Sequence, residues 1–284
     1  MAADVVLAGP RRRPRRRHVG RYALLALGAF VVLFPIYAAL VVSLQPAGRL
    51  LEFPGQLLPT EPTLEAFRIA FDRGSLGRYL VNSAVVAGLI TTAQVLTSIA
   101  AAYAFAFLRF LGSQLVFLLF LATLMVPTEV TIVANFETIE ALGWLNSYAG
   151  LSVPFFAFAF GTFLLRQAFL GIPRDLRDAS ALDGHGHWGF LRHVVVPLAR
   201  PSIAALALFS FLLAWNQYLW PLLITDRDEY RTVQIGLKAL TSSSVSDFPV
   251  VMAGTIIAAL PILLGLVLFQ RHIIRGLTAG AIKG

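Results

Sequence analysis

Apolar residues in this chain gather into runs longer than a soluble helix needs. Six can be read, at roughly 22–44, 79–108, 115–134, 148–165, 203–224 and 250–270. A helix crossing the bilayer core takes about 20 mostly apolar residues, and each run is near that length. Pro35, Pro127, Pro154, Pro221 and Pro261 fall inside them. Proline breaks soluble helices but is tolerated in bundled membrane helices, where neighbours satisfy the freed carbonyls. The first run is too long for a signal-peptide core of about 7–15 residues, and no small-residue cleavage site follows it. The pattern predicts an all-α integral membrane protein with six transmembrane helices. It divides into a basic tail at 1–21, a six-helix domain at 22–274 and a short tail at 275–284.

Composition agrees with the pattern. Of 284 residues, 57% are hydrophobic and 13% charged, against about 25% charged in soluble domains. Cysteine is absent, which excludes disulfides and thiolate metal sites. The net charge of +8 is concentrated in RRRPRRR at 11–17. That run precedes the first apolar segment and lacks aromatics, so it suits anionic lipid headgroups, at about 1 kcal/mol per basic residue, and not nucleic acid. Six spans put both termini on one side. Sixteen arginines and lysines fall on that side against seven on the other, so both termini are expected in the cytoplasm.

The outer connections differ. The one at 45–78 contains PTLEAFRIAF, a partly helical apolar pattern suited to the membrane surface or a partner, while 225–249 is polar; loops of this size either receive something delivered from outside or are solvated connections, and composition alone favours the second. On the inner side, 171–200 is a polar island that predicts a helix, a turn at Gly184 and Gly186, a second short helix and a stop at Pro197. Pro173 suits its first turn, Asp175 and Asp178 complement the helix dipole, and Leu176, Ala179 and Leu182 form a narrow apolar stripe. Trp188, Phe190 and Leu191 form a second apolar cluster. From periodicity alone this is either a docking element or an ordinary interfacial loop.

Asp178-Ala179-Ser180, Asp183-Gly184, Phe190 and Val194-x-Val196-Pro197-Leu198 resemble the EAA loop of ABC importer permeases. The usual order there is E-A-A-x-x-D-G-A, an aromatic, then I-x-L-P. Asp178, Ser180 and His185 depart from it. Further along the chain, FPIYAALVVSL at 34–44, Asn82-Ser83, LMVPTEVTI at 124–132, LNSYAGLSVP at 145–154 and WNQYLWPLL at 215–223 are similar to carbohydrate-type permeases related to the smaller maltose permease. Glu129 and TFLLRQ at 162–167 are most similar to the second permease subunit of glycerol-3-phosphate importers.

The resemblance implies a type I importer permease fold in a bacterial or archaeal cytoplasmic membrane. It implies a second permease as heterodimer partner, two ATPase subunits and an extracytoplasmic solute-binding protein. Within 171–200, Asp178, Ala179, Ser180, Asp183, Gly184 and Pro197 are then the ATPase-coupling residues. The implied solute is glycerol-3-phosphate or a glycerophosphodiester, with a sugar or oligosaccharide next.

The residues support that division of labour. No G-x-x-x-x-G-K-[ST] loop occurs, so ATP and Mg are expected on the partner ATPase and no cofactor in this chain. Glu129 is a candidate for the substrate path or a hydrogen bond at a subunit interface. Asn216 and Gln217, beside Trp215, suit a polyol, because amides bond hydroxyls and rings cover apolar sugar faces. Helix–helix packing is the rival role for all three. His185, His187 and His193 lack a shared helix face suited to a metal, and no catalytic motif is present. A self-sufficient secondary carrier or channel is the alternative. The scarcity of mid-membrane charge disfavours it.

Overall fold

The computed structural model describes residues 19–46, 58, 61–73, 75–241 and 247–278. The arginine run at 11–17, the polar stretch 242–246 and residues 279–284 lie outside the described residues. In order, the helices are α1 (Val19–Ser43), α2 (Glu65–Arg73), α3 (Leu76–Phe107), α4 (Ser113–Ala122), α5 (Thr128–Ala141), α6 (Tyr148–Ser152), α7 (Ala159–Leu170), α8 (Arg174–Leu182), α9 (His187–Phe190), α10 (Val196–Leu198), α11 (Arg200–Trp215), α12 (Leu219–Ile224), α13 (Val233–Leu240) and α14 (Phe248–Thr278). No strand forms among the described residues.

Three helices, α1, α3 and α14, are long and apolar enough to cross a membrane unaided. The count reaches six if each of three bent pairs is one span. The expected continuous helices therefore need correction. The run at 115–134 divides at Pro127, and the pieces Ser113–Met125 and Glu129–Ala141 meet at 99°. The run at 148–165 divides after Pro154, with a 47° bend between Tyr148–Phe155 and Ala159–Leu170. The run at 203–224 is not one helix: α11 ends at Trp215 and α12 begins at Leu219. Pro221 cannot donate to the Gln217 carbonyl. The Asn216 side chain meanwhile donates to the Leu212 carbonyl at 2.8 Å, competing with the backbone for that acceptor. Pro197 is not the expected stop either. It lies within α10, and the chain turns at Ala199 to give a 78° bend before α11. A π turn at Leu191–Val195 precedes it, the local response to a missing N–H downstream.

Unbroken α3 is the element on which the broken ones assemble. It packs against α7 and α11, and α11 packs on α14. Two apolar cores form at its ends. One gathers Leu76, Val86 and Ile90 with Leu151, Trp215, Trp220 and Val233. The other gathers Ala102 and Tyr103 with Leu165, Phe169, Phe190 and Val195. Between them α3 is polar toward the break in the fourth run. Gln94 Nε2 donates to the Phe155 carbonyl at 2.8 Å, and Thr97 Oγ1 lies 2.9 Å from the Phe156 carbonyl. These are the carbonyls that the Pro154 break takes out of the regular ladder, and no water in a bilayer core could satisfy them. By contrast α1 packs on α14 and leaves most of its apolar surface uncovered, as contact with lipid requires.

Gly161 lets α7 approach α3 closely. A Cβ there would stand 2.5 Å from Ser98 Oγ and 3.0 Å from Leu206 Cδ1. Overpacking of this kind costs about 1–3 kcal/mol. Gly161→Ala is therefore expected to lower the thermal unfolding midpoint of the detergent-purified protein, whereas Gly88→Ala, with nothing within 4 Å, leaves it unchanged.

Candidate functional site

The polar island folds into a compact loop hung from α3 and α7. α8 begins after Pro173, whose fixed φ suits a helix start, and Asp175 lies in its first turn. It ends in a Schellman turn. Gly184 has φ +80°, its N–H donates to the Ala181 carbonyl at 3.1 Å, and the His185 N–H reaches back to the Ser180 carbonyl at 3.0 Å. Asp183 is the capping residue before that glycine. The positive φ explains glycine at 184, whereas Gly186 has φ −74° and no such need.

α8 presents two unlike faces. Ser180 is the buried one, 4% exposed, with its hydroxyl oxygen unpartnered among the described residues. Asp178, Ala179, Asp183 and Gly184 are exposed. The predicted apolar stripe points outward: Leu176 and Ala179 are exposed, and Leu182 is 90% exposed. Pro197 lies apart from this surface, half-buried in α10. The expected cluster of Trp188, Phe190 and Leu191 divides, since Phe190 and Leu191 are buried while Trp188 is 74% exposed.

Two side-chain contacts tie the loop to α3, and a third ties α7 to the same end of that helix. Tyr103 Oη donates to the His187 carbonyl at 3.1 Å and lies 2.9 Å from His187 Nδ1. Arg177 donates to the Phe107 carbonyl at the end of α3 at 3.3 Å. Arg166 donates to the Phe105 carbonyl at 3.3 Å, with its guanidinium 4.2 Å from the Phe117 ring centroid. His185 and His193 stack at 4.9 Å between ring centroids. Among the described residues no group of three or more His, Cys, Asp or Glu side chains gathers to hold a metal.

The four candidate path residues are spread over two regions. Glu129 lies exposed in the first turn of α5, at the Pro127 break, and α5 packs on α12. Trp215 is 2% exposed, donates its indole N–H to the Ala258 carbonyl at 3.1 Å and stacks on Phe211. It is a core residue of this chain, so its ring presents no free face to a solute. Asn216 is exposed at the break between α11 and α12, and Gln234 Nε2 lies 3.3 Å from its Oδ1. Gln217 is half-buried, and its Oε1 is buried and unpartnered among the described residues. Sequence reasoning assigns Gln94 and Thr97 to packing and gives Tyr103 no role, whereas the structure makes all three bonding partners of backbone on other elements. Their signal was a polar side chain at intervals along an otherwise apolar helix.

Residues 93–278 match the family described as binding-protein-dependent transport system inner membrane component. The chain belongs to this family. It is 38% identical over 274 residues to the sn-glycerol-3-phosphate transport system permease protein UgpE of Brucella abortus (strain 2308), covering 93% of this chain and 97% of the relative. It is 35% identical over 264 residues to UgpE of Yersinia pestis bv. Antiqua (strain Antiqua), covering 90% and 94%. A chain from the crystal structure of a bacterial ABC transporter involved in import of the acidic polysaccharide alginate superposes with TM-score 0.81 at 21% identity, over 93% of this chain and 99% of that one. A second, from the alginate transporter in complex with its alginate pentasaccharide-bound periplasmic protein, gives TM-score 0.63 at 15% identity, over 90% and 94%. The protein is an inner-membrane, multi-pass permease subunit of a binding-protein-dependent importer. It is a transport subunit and not an enzyme. Membership in the family also sets aside the self-sufficient carrier or channel.

The Tyr103 hydroxyl is the link between α3 and the loop that one atom can remove. Tyr103→Phe is expected to speed backbone hydrogen exchange across 183–190 by about tenfold, the effect of losing about 1–1.5 kcal/mol of hydrogen bonding, with 76–98 unchanged in the same mass-spectrometric measurement.

Proposed function

We propose that this permease carries glycerol-3-phosphate or a closely related glycerophosphodiester inward, using ATP hydrolysed, with Mg, on two separate ATPase subunits. Its remaining partners are a second permease, a solute-binding protein on the outer face and the surrounding lipid of a bacterial or archaeal cytoplasmic membrane. Both termini and the loop 171–200 face the cytoplasm, within a membrane domain at 22–274. The excess of basic residues on that side supports this orientation. The names of the relatives at 35–38% identity support the solute.

The observation that carries the coupling role is the outward face of α8. Leu176, Ala179 and Leu182 lie uncovered beside Asp178, on a helix whose far end is fixed by the Gly184 turn. An exposed apolar stripe on a rigid short helix is costly unless another protein covers it. Asp178, Ala179, Ser180, Asp183 and Gly184 then form the docking element: the small residues keep it slim, and Ser180 is its buried side. Pro197 contributes by bending the chain into α11. In the solute path, exposed Asn216 meets polyol hydroxyls at the α11–α12 break, with Gln217 beside it. Glu129 borders the path from α5, and Trp215 fixes the break from behind through its bond to α14.

Two experiments test the reading separately. Asp178→Arg or Gly184→Pro is expected to insert into membranes normally yet lose both ATPase pull-down and transport. Gly184→Ala, at a left-handed cost of about 1–2 kcal/mol, weakens the pull-down, and Gly186→Ala leaves it intact. Retained pull-down in the first pair would refute the docking role. For the solute, proteoliposomes holding the complete importer should accumulate labelled glycerol-3-phosphate only with ATP and the binding protein. Uptake of an oligosaccharide in its place would move the solute assignment to the sugar class.

A further inference from the structure

The segment 225–233 reads as a solvated connection in the sequence, but it is bonded to the bundle at several points. Asn82, 2% exposed near the start of α3, donates through Nδ2 to the carbonyls of Glu229 at 2.8 Å and Arg231 at 2.9 Å. Its Oδ1 accepts from Tyr148 Oη at 2.7 Å. Both amide protons and the amide oxygen are therefore committed, joining α3, the first turn of α6 and the segment before α13. Beside it the Val233 N–H donates to Ser83 Oγ at 2.8 Å, and Tyr79 Oη donates to Asp228 Oδ1 at 3.0 Å. Asn146, in the left-handed region that asparagine tolerates, accepts at Oδ1 from the N–H groups of Asp226 and Arg227, both at 3.0 Å.

At 1.5 Å per residue, the stretch of α3 from Asn82 to Tyr103 spans about 30 Å, the thickness of the bilayer core. One unbroken helix thus grips the outer segment 226–233 at one end and the His187 backbone of the loop 171–200 at the other. Both grips are side chain to main chain, so they fix where a segment lies whatever residues it carries.

We propose that Asn82 is a positioning residue for transport, making α3 a rod that passes the docked state of the outer face to the loop 171–200. This inference rests on the importer reading above. Docking of a solute-loaded receptor on the outer face displaces 226–233. While Asn82 holds, α3 and α6 move with that segment, and Tyr103 carries the displacement to the His187 backbone of the loop 171–200. With the grip released, the outer segment moves alone.

Asn82→Asp tests this, because it keeps the shape but replaces the two donors with an acceptor facing two carbonyls. In the complete importer reconstituted in lipid nanodiscs, the ratio of receptor-stimulated to unstimulated ATPase rate is expected to fall about tenfold, the effect of losing one or two buried hydrogen bonds. The unstimulated rate stays within about twofold of the parent. The chain has no native cysteine, so a spin label on Glu229→Cys reports the outer segment alone, and its mobility is expected to rise in the same variant. An unchanged ratio overturns the proposal whether or not the label loosens. A reduced ratio with an unchanged label overturns the rod. If Asn82→Asp does not assemble, Tyr148→Phe, which removes a single bond from the same amide, is measured in both ways. The same directions are expected, and the same results overturn the proposal. A parent complex indifferent to its receptor overturns the importer reading and this inference together, whereas the variant results bear on the inference alone.

Discussion

Backbone carbonyls that lie outside regular helix must find donors where water is scarce, and in this protein α3 supplies them. Asn82 serves the segment 226–233, Gln94 and Thr97 serve the broken fourth run, and Tyr103 serves the loop 171–200. The traffic also runs the other way, since Arg166 and Arg177 donate to carbonyls at the end of α3. Each unsatisfied backbone group in a bilayer costs several kcal/mol, so the bent spans and their donors on α3 form one solution. The break at Pro154 is tolerable because a straight neighbour stands beside it with two donors.

That arrangement gives the permease parts that differ in stiffness. The two apolar cores lock the ends of α3 to their surroundings, one with α6, α12 and α13, the other with α7 and the π turn. Between the cores lies the bend in the fourth run, where a modest change in backbone angle tilts one half of the run against the other. Asn216 and Gln217 lie at another break. A transporter that opens alternately to either side needs bistable elements of this kind, biased by partners that bind the two states differently.

Much of the loop 171–200 is legible in the amino-acid sequence. The spacing of Asp178, Ala179, Asp183 and Gly184 carries the family resemblance, and a glycine after a capping residue announces a left-handed turn, which the φ of Gly184 bears out. Which face of α8 is uncovered is not legible there. Leu176, Ala179 and Leu182 have the spacing of a stripe that a soluble helix buries in its own core. Here that stripe faces out and a serine faces in, since membrane-protein cores accept small polar residues that let helices approach. Trp215 shows the converse. A tryptophan beside two amides suggested a solute contact, yet its indole N–H is bonded to α14.

Apolar run length by itself determined that this chain is a helical membrane protein, because it measures transfer into lipid residue by residue. The tertiary structure alone decided that three of the apolar runs are broken and that a polar connection is a fixed part of the bundle. It also decided that isolated polar residues on α3 act as donors to distant backbone. Each of those facts is a pairing between residues tens of positions apart, and local composition carries no record of which carbonyl a lone asparagine or tyrosine will meet.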